Sequence, residues 1–220
     1  MKVDKRILAG LLIIIIPFVS IGLAANILTR LPDLYAYEFT KSKVTEEIRL
    51  SAKPAEIGQL FSGYLAGKVL ELQLVAEYQG RTKQIFTMKD QIGMHNVRKL
   101  IDSLLLMTVL SILVGFLLTY RLIRKNEKEL VRTAYKYSAA LFLIFWISIL
   151  ITPIGEFLGS YIQKLIFDIG FEADSLLGIL LSSSFFQTWF VFNFIAAAII
   201  LFILGLIIWK FTRERRMFVY

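Results

Sequence analysis

From Ser175 to Trp209 the chain runs for 35 residues without a charged side chain, and that constrains it more than any other feature. A hydrocarbon core of about 30 Å takes roughly 20 helical residues, so the run is too long for one straight crossing. It has to break. Ser182, Ser183, Ser184 and Gln187 form its least apolar part, while Trp189 and Trp209 lie 20 residues apart, or about 30 Å along a helix, the separation of the two interfacial aromatic belts. We therefore read residues 188–209 as one span, with Ser175 to Phe186 as a buried or re-entrant piece.

Three other uncharged runs have spanning length: Ile7–Thr29, Ser103–Tyr120 and Tyr137–Gly155. Pro17 falls inside the first, where a kink is expected. A cleaved signal peptide ending near Gly22-Leu23-Ala24 is the rival reading, but the apolar run exceeds the usual 7–15 residues. With 57% hydrophobic residues and mean hydropathy +0.67, the chain is expected to be an integral membrane protein. The absence of cysteine excludes disulfide and thiolate chemistry, and one histidine without a metal-binding pattern argues against a protein-built metal site. No cofactor is implied. The net charge of +8 is ascribed to the positive-inside bias and anionic lipid headgroups rather than nucleic acid, which is set aside as a partner.

Charge orients the spans. Residues 121–136 carry Arg121, Arg124, Lys125, Lys128, Arg132 and Lys136 against Glu127 and Glu129, the signature of a cytoplasmic loop, whereas 156–187 hold Glu156, Asp168, Glu172 and Asp174 against Lys164. Both termini, including the tail 210–220, are then expected in the cytoplasm. Residues 30–100 have no spanning run and are expected to form an extracytoplasmic cap. After Ser51 and Pro54, apolar residues recur at Ile57, Leu60, Phe61, Tyr64 and Leu65, and Gly67 closes this amphipathic helix. Leu70, Leu72, Leu74, Ala76 and Tyr78 then alternate with polar residues, and Gln79 to Thr82 supply a turn before a shorter run from Lys83 to Met88, which predicts a β-hairpin. The fold class is an all-α polytopic membrane protein of four transmembrane helices with a small α/β cap. Small residues such as Gly115, Ala139, Ala140 and Ala196 to Ala198 permit close helix packing.

The stretch Phe86 to Asp102 brings the single histidine, His95, to the foot of the second uncharged run. Imidazole titrates near neutral pH, so His95 is a candidate general acid or base at a fixed membrane depth. The bland alternative is an interfacial His bound to headgroups or backbone.

LYAYEFTKSKVTEEIRLSAKPAEIGQLFSGYL, AGKVLELQLVAEYQG and IFTMKDQIGMHNVRKLI, in that order across the first span, cap and second span, resemble the bacterial lipoprotein intramolecular transacylase family; the second half is similar in hydropathy alone. The resemblance implies transfer of an acyl chain within one lipoprotein, from the glyceryl sn-2 oxygen of its diacylglyceryl-cysteine to the α-amino nitrogen. It implies a lipoprotein substrate and membrane lipids as partners. Two departures stand out. The family's approximate His-Met-x-Asp-Val-Lys faces Gly93-Met94-His95-Asn96-Val97-Arg98 here, so the His is displaced and Asn96 replaces an Asp unless a small gap restores a match at His95. The family's second histidine, before the last helix, has no counterpart between Asp168 and Phe186. The resemblance then implies His95 as base, Asp174 or Glu172 as an acid partner with pKa raised in an apolar pocket, and Asn96 or Arg98 contacting an oxyanion or headgroup. Against this, the carboxylates can be simply solvated, Arg98 a lipid anchor and Asn96 a helix cap. A catalytically degenerate relative that binds lipid or a partner membrane protein is the alternative function, and a small transport component a weaker third.

Overall fold

The structure is a computed structural model that describes residues 5–150, 161 and 175–213. The described elements are α1 (Lys5–Leu28), α2 (Pro32–Lys41), α3 (Val44–Glu47), α4 (Pro54–Leu65), β1 (Val75–Tyr78), β2 (Arg81–Gln84), α5 (Met88–Arg124), α6 (Lys128–Leu150), α7 (Leu176–Leu180) and α8 (Ser183–Thr212). Four of them, α1, α5, α6 and α8, are long and apolar enough to cross a membrane. The protein is a helical multi-pass membrane protein with a small two-stranded antiparallel sheet.

The chain divides into two compact units. The first comprises residues 1–24, 105–148 and 194–220. Its helices meet through hydroxyls and carbonyls as well as apolar contacts: Ser138 Oγ donates to Leu12 O (3.3 Å), and Tyr135 Oη donates to Leu201 O (3.1 Å) across the backbone of Gly205. Interhelical bonds of this kind hold helices together where lipid gives no hydrophobic drive. Arg132 Nε donates to Thr212 Oγ1 at 2.9 Å, and Lys5 pairs with Glu127 at 2.7 Å. α1 continues through Pro17 as one helix.

The second unit comprises residues 25–104 and 149–193, and its core is aromatic. α2 buries Leu34, Tyr35, Glu38 and Phe39; α4 buries Ile57, Phe61, Tyr64 and Leu65. Phe61 is fully buried at the centre, with ring centroids 5.8 Å from Tyr35, 6.1 Å from Phe39 and 5.5 Å from Phe86. α4 begins at Pro54, where the missing N–H costs nothing, and the Glu56 carboxylate accepts from the Lys53 N–H (3.3 Å). It ends at Ala66, followed by Gly67 in the left-handed region (φ +74).

The hairpin is shorter than its alternation predicts. Tyr78 pairs with Arg81, leaving Gln79 and Gly80, both at positive φ, as a two-residue turn, the tight primed geometry that matches strand twist. The expected second strand, Lys83 to Met88, stops early because Thr87 and Asp90 start a helix instead. The Asp90 carboxylate accepts from Thr87 N (2.9 Å) and Oγ1 (2.8 Å), and Asp90 N donates to Thr87 Oγ1 (3.2 Å). Because β2 ends at Gln84, residues 70–73 carry no strand, and Leu70 stands exposed rather than half-buried. The 35-residue uncharged run breaks at Leu181-Ser182. Residues 183–186, read from sequence as part of the separate piece, belong to α8, and the separate helix is α7 alone.

Candidate functional site

The second unit encloses a cavity of about 250 Å³. Its wall comes from the end of α1 (Ala25) and the residue after it (Thr29), α2 (Tyr35), α4 (Leu65), the α5 face of Met94, Val97, Ile101 and Leu104, and the Leu181 to Trp189 segment. The α5 residues recur at i, i+3, i+7 and i+10, one stripe of a helix. The surface is almost wholly apolar and fits a hydrocarbon chain rather than a polar ligand. Its hydroxyls are internally bonded: Tyr35 Oη donates to Thr29 O (2.8 Å) and Thr29 Oγ1 to Ala25 O (2.8 Å). Burial pushes the Tyr35 phenol far above its ordinary pKa, and Arg30 offsets part of that. Tyr35 is therefore a neutral donor.

A polar cluster adjoins the lining residues in sequence. Arg30 follows Thr29; its guanidinium donates to Asn26 Oδ1 (2.6 Å) and to Asp102 Oδ1 (2.9 Å). Asp102 follows Ile101 and takes a second cation, Arg98, with Nε 3.8 Å from Oδ2. The Arg98 guanidinium lies over the Tyr64 ring at 5.6 Å and against Gly67, where an added Cβ would come within 2.8 Å of Nη2. Burial raises the Tyr64 pKa, with Arg98 pulling it partly back.

Among the described residues, the sequence-predicted His95, Asn96 and Arg98 do not line the cavity. His95 is exposed and falls on the α5 face opposite Met94, Val97 and Ile101; it shares a stripe with Arg98 and Asp102 at i, i+3 and i+7. Asn96 is partly buried in the same helix. Arg98 joins the ion-pair cluster rather than the cavity wall. Glu172 and Asp174, like Asp168, lie outside the described residues.

Sequence reasoning missed Glu38. Its side chain is 3% exposed; Oε1 accepts from Ser184 Oγ at 3.0 Å, and Oε2 has no hydrogen bond and stands 3.8 Å from Lys41 Nζ. Lys41 also reaches Thr188 Oγ1 (3.3 Å). A signal existed: Leu34, Tyr35, Glu38 and Phe39 lie at i, i+1, i+4 and i+5, so Glu38 occupies the apolar stripe of α2.

Among solved structures, the chain is similar to the membrane-integral lipoprotein intramolecular transacylase Lit from Bacillus cereus (TM-score 0.69, 15% identity, covering 94% of this chain and 95% of that one). Variants of that protein with one histidine changed to Arg or Ala align with TM-scores of 0.66 and 0.62, at 14% and 11% identity, covering 94% and 95% of this chain and 92% of each of those. At such identities the likeness is one of fold. No match was found among curated protein sequences. The lipoprotein intramolecular transacylase model matches residues 10–163, a stretch running from α1 through α2, α4 and the hairpin into α5 and α6. Over most of its length, then, the sequence carries the pattern that its fold also displays, and the chain belongs to the lipoprotein intramolecular transacylase (Lit) family.

Proposed function

We propose that the protein moves an acyl chain within a lipoprotein's N-terminal diacylglyceryl-cysteine, from the glyceryl sn-2 oxygen to the α-amino nitrogen, yielding the lyso-form. One observation carries the reading in a chain of this family: an apolar cavity sized for part of a hydrocarbon chain, adjoined by the Arg30–Asp102–Arg98 cluster. The chain enters the cavity, and its ester stays at the charged end. Arg98 and Asn96 contact the ester or headgroup oxygens, since a guanidinium stabilises charge that develops on a carbonyl oxygen. His95, one turn before Arg98, takes the proton that keeps the α-amine cationic, and Glu172 or Asp174 protonates the leaving oxygen. By the positive-inside bias, both termini and residues 121–136 face the cytoplasm, with 30–100 and 156–187 on the outer side. The spans are those read from sequence, 7–29, 103–120, 137–155 and 188–209.

The test is mass spectrometry of the N-terminal lipopeptide of an abundant lipoprotein, from cells making only the diacyl form, with and without this protein. N-acyl, S-monoacylglyceryl cysteine appearing only with the protein is the expected result; an unchanged diacyl form beside membrane-inserted protein removes the reading. His95→Ala at equal abundance should lower the yield about 100-fold, in the range for loss of a general base.

A second reading has its own support: among the described residues, the cavity wall holds no imidazole or carboxylate. A lipid-binding accessory subunit would co-purify with a membrane partner and be indifferent to His95→Ala.

A further inference from the structure

Among the described residues, three side chains of the cavity wall can donate a hydrogen bond, and two of them are spent: Thr29 and Tyr35 donate to backbone carbonyls within the wall. The third is Trp189, whose indole Nε1–H is buried and has no acceptor. Burying a donor unbonded is costly, and tryptophan N–H groups usually find a partner when buried. We propose that the acceptor is the carbonyl oxygen of the substrate's sn-2 ester, which makes Trp189 a catalytic residue; the proposal rests on the transacylase reading.

The placement suits an ester. Phe185, Phe186 and Trp189 lie at i, i+1 and i+4 of α8 and share the face that lines the cavity. Just before Trp189 the helix is tied to α2 twice, by the stack of Phe185 on Tyr35 at 5.4 Å and by the bond from Lys41 Nζ to Thr188 Oγ1 at 3.3 Å. Trp189 opens the 188–209 span as Asp102 borders the 103–120 span. One return helix, α6, separates these spans, so they cross in the same direction, and the indole and the charged end of the cavity share one membrane depth. That depth is the interfacial aromatic belt, at the level of the headgroups and the esters below them. Within an apolar wall no solvent competes for the N–H, which strengthens its bond to a charged oxygen.

The transfer stays direct and balances. The neutral α-amine attacks the sn-2 acyl carbonyl carbon, and the carbonyl π electrons move onto the oxygen. Trp189 donates to that oxygen in the ester, donates more strongly to the tetrahedral oxyanion, and keeps its proton throughout. As the carbonyl re-forms, the bond from carbon to the glyceryl oxygen breaks, and the proton lost by nitrogen ends on that oxygen. Because the hydrogen bond strengthens as charge develops, its removal slows transfer more than it weakens substrate binding.

The experiment records the indole N–H resonances of the full chain, labelled with 15N-tryptophan, in alkyl maltoside micelles, which contain no ester. Trp146, Trp189 and Trp209 give three signals, assigned through single Phe variants. A 1,2-diacylglycerol is expected to move the Trp189 signal downfield, and its dialkyl ether analogue, which lacks the carbonyl, is not. Alongside, Trp189→benzothienylalanine replaces the N–H by sulfur at nearly constant shape and should slow lyso-form formation about 100-fold at equal membrane abundance. The same replacement at Trp146, whose buried indole N–H is also unpaired but lies outside the cavity wall, should leave the rate unaltered. A Trp189 signal that treats the two lipids alike, an undiminished rate from the sulfur isostere at 189, or an equal loss at 146 overturns the proposal. An ester-specific shift of Trp189 in a protein that makes no lyso-form supports the donor and removes the transacylase reading.

Discussion

The second unit holds two polar clusters that differ in kind. Arg30, Asp102 and Arg98 are partly exposed, with Asp102 52% exposed, and they meet opposite charges, the Asn26 carbonyl oxygens and the Tyr64 ring. Glu38 is buried, has one oxygen without a hydrogen bond, and faces a hydroxyl and a distant ammonium. Exposed ion pairs add about 0–1 kcal/mol to stability, so the first cluster contributes little to folding and is free to face a ligand. The second is held in place by the aromatic core around it. The contrast teaches that charge near an apolar cavity can be kept ready in two ways, by pairing in water or by confinement in packing.

The strongest way to break the contrast is to remove the confinement. Phe61→Ala should cost about 3–5 kcal/mol, because Phe61 is fully buried and touches three other rings; denaturant titration in detergent checks it, and a loss under 1 kcal/mol would mean that the core does not hold Glu38. A subtler change is Tyr35→Phe, which leaves Thr29 O without its buried donor and should cost about 1 kcal/mol. Since burial raises the Tyr35 pKa, its contribution is intact below the unfolded phenol value near pH 10 and is lost as pH rises beyond it. Stability of the unaltered protein should therefore fall more steeply above about pH 10 than that of the Phe variant, and parallel curves would refute the assignment. The smallest stability effect sharpens the other side: Asp102→Ala should shift stability by under about 1 kcal/mol while lowering lyso-form yield, as measured by lipopeptide mass spectrometry. A stability loss of several kcal/mol would make the cluster structural.

Much of the architecture was legible because its signals are local. Uncharged runs mark the four long helices, and the 57, 60, 61, 64, 65 periodicity marks α4 with its Gly67 stop. The hairpin was legible in kind but not in length, since the Thr87–Asp90 capping box that ends it competes within the same few residues. The cavity was not legible, because its wall draws on α1, α2, α4, α5 and the Leu181–Trp189 segment, and no window of sequence contains that convergence. His95 shows the same limit. Its chemistry could be read from its side chain, but its facing away from the cavity depends on which stripe of α5 packs inward. Glu38 lay within a stretch that could be read as a family resemblance, and its place on an apolar helix stripe was the overlooked clue.

The two strands of the hairpin have unlike outer edges. β1 is covered by the segment around Leu50, through bonds between Ser51 N and Glu77 O and between Gln79 N and Arg49 O. β2 exposes all four residues, Arg81, Thr82, Lys83 and Gln84, with Lys83 set over the Tyr78 ring. An uncovered edge is a template on which another strand can pair, and cations there are the usual deterrent. Two copies meeting edge to edge would bring Arg81 and Lys83 of each against the other's, so crowding of this protein in a bilayer does not turn the open edge into a seed for strand-by-strand association.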